Sequence, residues 1–170
     1  LVAIKEGDLK SRVLVTDDAV ITEQGATLCG IEPGDTLTLE QLLYGLMLPS
    51  GNDAGAAIAV HIAGSIEAFS DMMNEEAVRL GATGTHFVNP HGLNDPDHYP
   101  TAYDLYLIFN EALKYPVFRQ IVGTTAYTAN YHNKNSEPVS KTWKGSNWFM
   151  TGERETPDGL KVFGGKTGTT

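Results

Sequence analysis

Two short strings in this chain combine residue types that could do chemistry together: Ser50-Gly51-Asn52 and Lys166-Thr167-Gly168. In the second, a cation, a hydroxyl and a residue without a Cβ share one segment. That set suits a carboxylate ligand lying along a strand, with strand-edge donors holding the ligand backbone. In the first, a hydroxyl and an amide stand between two helical stretches, where both can face a cleft. Each string also has a plainer reading: a surface lysine beside a turn, and Ser or Asn as the N-cap of a helix beginning near Asp53. Lys-Thr-Gly arises by chance in roughly one chain of this length in twenty or thirty, and Ser-x-Asn in roughly half, so neither string decides anything alone.

Other polar clusters carry less. His91, Asp95, Asp97 and His98 crowd into eight positions as a metal site would, but the stretch is loop-like and no spacing puts two histidines on one helical face. The reading is no metal and no cofactor. His61 falls within an apolar helix and reads as a packed or partly exposed histidine. Tyr99, Tyr103 and Tyr106 fit helix packing.

The elements that must position the two strings belong to a chain of 170 residues with 41% apolar composition, enough for one domain with a core. The formal charge is -9 and no basic run interrupts it, so a polyphosphate backbone would be repelled and nucleic acid is excluded as a partner. An anionic ligand would need a local cation, which singles out Lys166. The single cysteine, Cys29, excludes an internal disulfide framework. No apolar run reaches the roughly 18 to 20 residues of a membrane span.

Leu1 to Gly7 reads as the last turns of a helix ending at a glycine cap. Val13 to Thr16 is β-like, and Pro33-Gly34-Asp35 marks a turn. Thr38 and Gln41 form a capping box, from which a helix runs over Leu39 to about Met47. Asp53 to Ala63 predicts a second, largely buried helix. Ser65 caps a third, with Phe69, Met72, Met73 and Ala77 in its core stripe. Thr85 to Pro100 reads as an ordered loop. A fourth helix runs from Thr101 to about Tyr115, with Leu105, Ile108, Phe109 and Leu113 facing inward, and a short one follows over Val117 to Val122. Thr125, Tyr127 and Ala129 alternate as in a strand; Asn130 to Lys144 reads as polar loop. Leu160 to Gly168 reads as a strand whose glycines leave room for something against its edge, with partner strands beyond the chain ends.

Taken together and in this order, Ser50-Gly51-Asn52 and Lys166-Thr167-Gly168 match two of the three motifs of penicillin-binding enzymes. Leu39–Ala54 (LEQLLYGLMLPSGNDA), Thr85–Leu93 (THFVNPHGL) and Gly164–Thr170 (GGKTGTT) are similar to D-alanyl-D-alanine carboxypeptidases. The resemblance runs over almost the whole chain and is weakest from Asn130 to Asp158. It implies an α+β fold of the β-lactamase/transpeptidase-like kind, a helical subdomain plus part of an antiparallel sheet, incomplete at both ends. Residues 1–170 would form a single, partial catalytic domain.

It further implies a serine acyl-transfer mechanism that removes the terminal D-Ala from peptidoglycan stem peptides, with β-lactams as inhibitors. By motif, Ser50 would relay protons and Asn52 would hydrogen-bond the substrate's acyl-side amide. Lys166 and Thr167 would bind the terminal carboxylate, Gly168 would allow close approach, and the N–H of Thr169 would be one oxyanion donor. The departure from the pattern is that no Ser-x-x-Lys occurs in the chain. The resemblance puts that motif upstream of Leu1, so this chain alone is expected to be inactive. Two alternatives stand beside this reading. A class A-like β-lactamase would need a deacylating Glu-x-x-Leu-Asn string, which is absent, and a non-catalytic domain would bind stem peptides without cleaving them. The implied location is extracytoplasmic, in a bacterial cell envelope, with membrane attachment only through segments outside this chain.

Overall fold

Residues 1–168 are described by the computed structural model. Local sequence signals set most helix starts. Thr38 Oγ1 accepts from Gln41 N at 3.1 Å and Gln41 Oε1 accepts from Thr38 N at 2.8 Å, so α2 (Leu39–Met47) begins at the capping box. Ser65 and Thr101 cap α4 (Ile66–Arg79) and α5 (Ala102–Ala112) through their hydroxyls. Pro116, with no N–H to lose, opens α6 (Pro116–Val122). Between α2 and α4 lies α3 (Asn52–Ala63), whose first eight residues are all buried and which ends at Gly64 with φ +85°. Its alanines let α2 and α4 pack closely on it.

Helix α1 (Val2–Glu6) ends at Gly7, but that residue is extended at φ -97° and not a left-handed cap. Close approach explains the glycine: a Cβ there would lie 2.4 Å from Leu39 Cδ2 and 2.7 Å from the Ala3 carbonyl oxygen. Four of the largest fully buried side chains, Leu37, Leu39, Leu42 and Ile58, come from the α2–α3 unit and the segment before it. Each contributes on the order of 1.5–3 kcal/mol by burial.

The sheet has the antiparallel order β1 (Arg12–Leu14), β2 (Thr36–Thr38), β3 (Ala126–His132) and β4 (Pro138–Lys144). Val13 pairs Leu37, Thr36 pairs His132, and β3 pairs β4 from Ala126–Lys144 to His132–Pro138. The polar loop expected over Asn130 to Lys144 is therefore a hairpin. Its periodicity is weak because only Ala129, Tyr131 and Trp143 are buried while the remaining side chains are exposed or half-exposed. Its turn closes on Asn133, whose Oδ1 accepts from Asn135 N and Glu137 N.

Conversely, Leu160 to Gly168 forms no ladder. Lacking a partner strand among the described residues, it lies extended, tied by Gly165 N to the Val122 carbonyl at 3.3 Å. The inward face expected for α5 also needs correction. Asp104 and Ala112 are its buried residues, whereas Leu105 and Phe109 are exposed, as are Tyr99, Tyr103 and Tyr106. Asp104 turns inward because its carboxylate accepts from Gly84 N at 2.9 Å and from the Thr85 hydroxyl at 2.8 Å.

Candidate active site

Ser50 stands in the break between α2 and α3. It is one of two non-glycine residues with positive φ among those described, at +62°. An L-residue adopts this left-handed backbone at a cost of about 1 kcal/mol or more, which surrounding contacts must offset. Three such contacts hold the break. Gly51 N donates to the Gly45 carbonyl at 3.1 Å, Asn52 N to the Thr27 carbonyl at 2.9 Å, and Ser146 N to the Leu48 carbonyl at 3.1 Å. The cap reading of this string does not hold: Gly51 is the N-cap of α3, with no side-chain hydrogen bond. Gly51 has no room for a side chain, since a Cβ would sit 2.7 Å from both Cys29 Cβ and the Gly45 oxygen.

The neighbouring Asp53 is 1% exposed. Its carboxylate accepts from Cys29 N (2.9 Å), Gly30 N (2.7 Å), Ile31 N (3.2 Å) and Ala54 N (2.9 Å). It thereby pins the 29–31 segment to the start of α3. Asn52 is 7% exposed, and its side-chain amide has no hydrogen-bond partner among the described residues.

The Lys166 arm is laid against the last turn of α6 by its glycines. A Cβ on Gly164 would lie 2.8 Å from the Val122 oxygen, and one on Gly123 would lie 3.0 Å from the Phe163 oxygen. Within this arm Gly164 thus makes room for the protein's own backbone, whereas a Cβ on Gly168 would meet nothing within 4 Å. So placed, Lys166 Nζ donates to Ser50 Oγ at 2.5 Å and to the Thr167 carbonyl at 2.5 Å. The two strings meet. The residue as a whole is exposed, and the partial loss of water around its ammonium lowers its pKa. No carboxylate pairs with it among the described residues. Because Ser50 Oγ accepts from a cation, its own proton is free to point elsewhere. A hydroxyl that accepts on one side and donates on the other can pass a proton.

Thr167 Oγ1 lies 2.6 Å from Ser146 Oγ. Ser146 was not singled out by any motif. It follows β4 in a stretch without periodicity, and nothing in its neighbours distinguishes it from loop serine. Thr169 lies outside the described residues, as does any donor role for its N–H.

The histidines disperse. His86 Nδ1 bonds the Asp97 carbonyl, His98 Nδ1 accepts from Val88 N, His91 Nδ1 accepts from Leu93 N, and His61 bonds Ser11 Oγ. No group of three His, Cys, Asp or Glu that could hold a metal occurs among the described residues. A cavity of about 140 Å³ lies elsewhere, between Ile4, Met47, Phe69, Met73, Ile108 and Phe118. Its lining is mostly apolar, with Glu76 at one side, and contains neither string, so it is not the candidate site.

The family model for D-alanyl-D-alanine carboxypeptidases matches residues 1–170. The chain belongs to that family. It is 33% identical over its whole length to D-alanyl-D-alanine carboxypeptidase DacF of Bacillus subtilis, covering 42% of that protein. It is 41% identical over 82% of its length to D-alanyl-D-alanine carboxypeptidase DacB2 of Mycobacterium tuberculosis, covering 47% of it. The crystal structure of the Streptomyces K15 DD-transpeptidase superposes on 99% of the chain with a TM-score of 0.88 at 32% identity, and the chain covers 66% of that structure. The chain thus spans less than half the length of these curated carboxypeptidases. The expected fold, helices plus an antiparallel sheet of the β-lactamase/transpeptidase-like kind, is the one observed.

Proposed function

We propose that this chain supplies the substrate-binding and proton-relay half of a serine-type D-alanyl-D-alanine carboxypeptidase, whose nucleophile lies outside these 170 residues. The observation that carries the reading is the Lys166 Nζ–Ser50 Oγ contact, which joins strings that sequence alone leaves far apart. The family membership and the absence of any Ser-x-x-Lys support it.

In this reading the attacking serine adds to the carbonyl carbon between the two terminal D-alanines and the peptide C–N bond breaks. The departing amine takes up a proton through Ser50, and water then cleaves the ester. Asn52 offers its side-chain amide to the acyl-side peptide group. Lys166 and Thr167 receive the terminal carboxylate, in a chain whose net charge of -9 would otherwise repel it. Gly168 lets the ligand backbone approach, and Thr169 N–H serves the oxyanion. The ligand class is the peptidoglycan stem peptide, with β-lactams as inhibitors, in the extracytoplasmic envelope of a bacterium. Hydrolysis is favoured over transpeptidation, consistent with the names of the curated relatives.

A fluorescent penicillin tests this. The full-length protein should be labelled covalently, its Ser50→Ala variant at least about 100-fold more slowly, and the isolated 170-residue chain not at all. Labelling of the isolated chain would refute the external nucleophile. Full-length protein that binds stem peptide yet never labels would favour the non-catalytic alternative, and rapid penicillin turnover would favour the β-lactamase.

A further inference from the structure

We infer that Ser146 is a positioning residue that aims the Thr167 hydroxyl at the ligand carboxylate, an inference that rests on the carboxylate-binding role proposed for Thr167. Ser146 touches both halves of the site. Its backbone N–H donates to the Leu48 carbonyl at 3.1 Å, two residues before Ser50, and its hydroxyl lies 2.6 Å from Thr167 Oγ1. The preceding Gly145 N donates to the Thr125 carbonyl at 2.8 Å, which fixes the end of β4 between the two arms. Ser146 therefore stands on a backbone held at two successive N–H groups.

Hydroxyl chemistry then sets the direction of the bond. A hydroxyl has one proton and two acceptor lone pairs. If Thr167 gives its proton to a carboxylate, the Ser146–Thr167 contact survives only with Ser146 as donor. Ser146 thus biases the Thr167 proton toward the cleft, and each hydrogen bond in such a chain polarises the next. Asn147 reinforces the placement: its Nδ2 lies 3.2 Å from where a Cβ on Gly165 would be, so the arm before Lys166 is confined on that side too. A serine held only for packing would do none of this selectively for anionic ligands.

The test is made in the full-length protein, by comparing covalent acylation by benzylpenicillin with that by its methyl ester, in which the carboxylate is absent. Ser146→Ala should slow acylation by benzylpenicillin about five- to tenfold, and acylation by the ester less than about twofold. Ser146→Thr, which keeps the donor, should restore the rate. In a Thr167→Val background, Ser146→Ala should add nothing, and this cycle stands even if the ester reacts too slowly to compare. Equal losses for both ligands, or additive losses in the cycle, would overturn the role of Ser146. A wild-type protein that is not acylated at all would instead overturn the reading of the site.

Discussion

Removing the Asp53 carboxylate should loosen the segment beside Ser50 more than any surface change could. The side chain is 1% exposed and accepts three backbone N–H groups from Cys29, Gly30 and Ile31 besides that of Ala54. In Asp53→Ala, the N–H groups of Cys29, Ile31 and Ala54, on residues 3%, 6% and 0% exposed, lose their acceptor. Each orphaned buried donor costs about 1–3 kcal/mol, while Gly30 is exposed and can turn to water, so the total over the three buried donors comes to about 3–9 kcal/mol. Asp53→Asn keeps one acceptor but sets an NH₂ group against Gly30 N and Ile31 N, donor facing donor. It should cost about 2–4 kcal/mol, although the side chain is nearly isosteric. Trp143 is a built-in reporter, since its Nε1 donates to the Cys29 carbonyl at 2.9 Å. Urea unfolding followed by Trp143 fluorescence, in a Trp148→Phe background that removes the chain's second tryptophan, would measure both losses. A shift of less than about 0.5 kcal/mol for either variant, with an unchanged denaturant slope, would refute the assignment of Asp53 as the pin of this segment.

Gly51→Ala should destabilise by about 1–3 kcal/mol in the same assay, through contact with Cys29 and Gly45 and without backbone strain, because φ is -69° there. Cys29 should react with iodoacetamide only at the rate of unfolding. Burial first, and then the Asp53 carboxylate beside it, push its thiol far above the ordinary range; prompt labelling of folded protein would contradict this. Glu76 is bound by Arg79 Nε and an Arg79 terminal nitrogen at 2.7 Å each and by Lys5 Nζ at 2.6 Å. The Arg79 bonds, assisted by Lys5 and opposed by burial, hold its pKa at about 2 against an ordinary 4.5. A depressed carboxylate pKa stabilises the fold above the unfolded value, so this contribution should be complete above pH 4.5 and vanish as pH falls toward 2. Glu76→Gln should flatten that limb of the stability–pH curve.

How much of this was legible in the residues depends on the range of the forces involved. Thr38 with Gln41, Ser65, Thr101 and Pro116 act within one turn of chain, and the helices they start were readable from the sequence. The β3–β4 hairpin was half hidden, because a strand exposed over most of its length shows no alternation and is stabilised by its partner across the ladder. The segment carrying Lys166 read as a strand, yet strand character belongs to a pair, and its backbone leans on α6 instead. For the site, motif order and flanking stretches named Ser50, Asn52, Lys166, Thr167, Gly168 and Thr169 as candidates, the last of them outside the described residues. What the sequence by itself determined was the set of chemical groups and the local turns that present them. Only the tertiary structure decided that Lys166 donates to Ser50, that Asp53 is a buried clamp, and that Ser146 touches Thr167. Each of those contacts joins residues at least 20 positions apart, and at that distance packing of the whole chain, with no local pattern to announce it, sets which side chains meet.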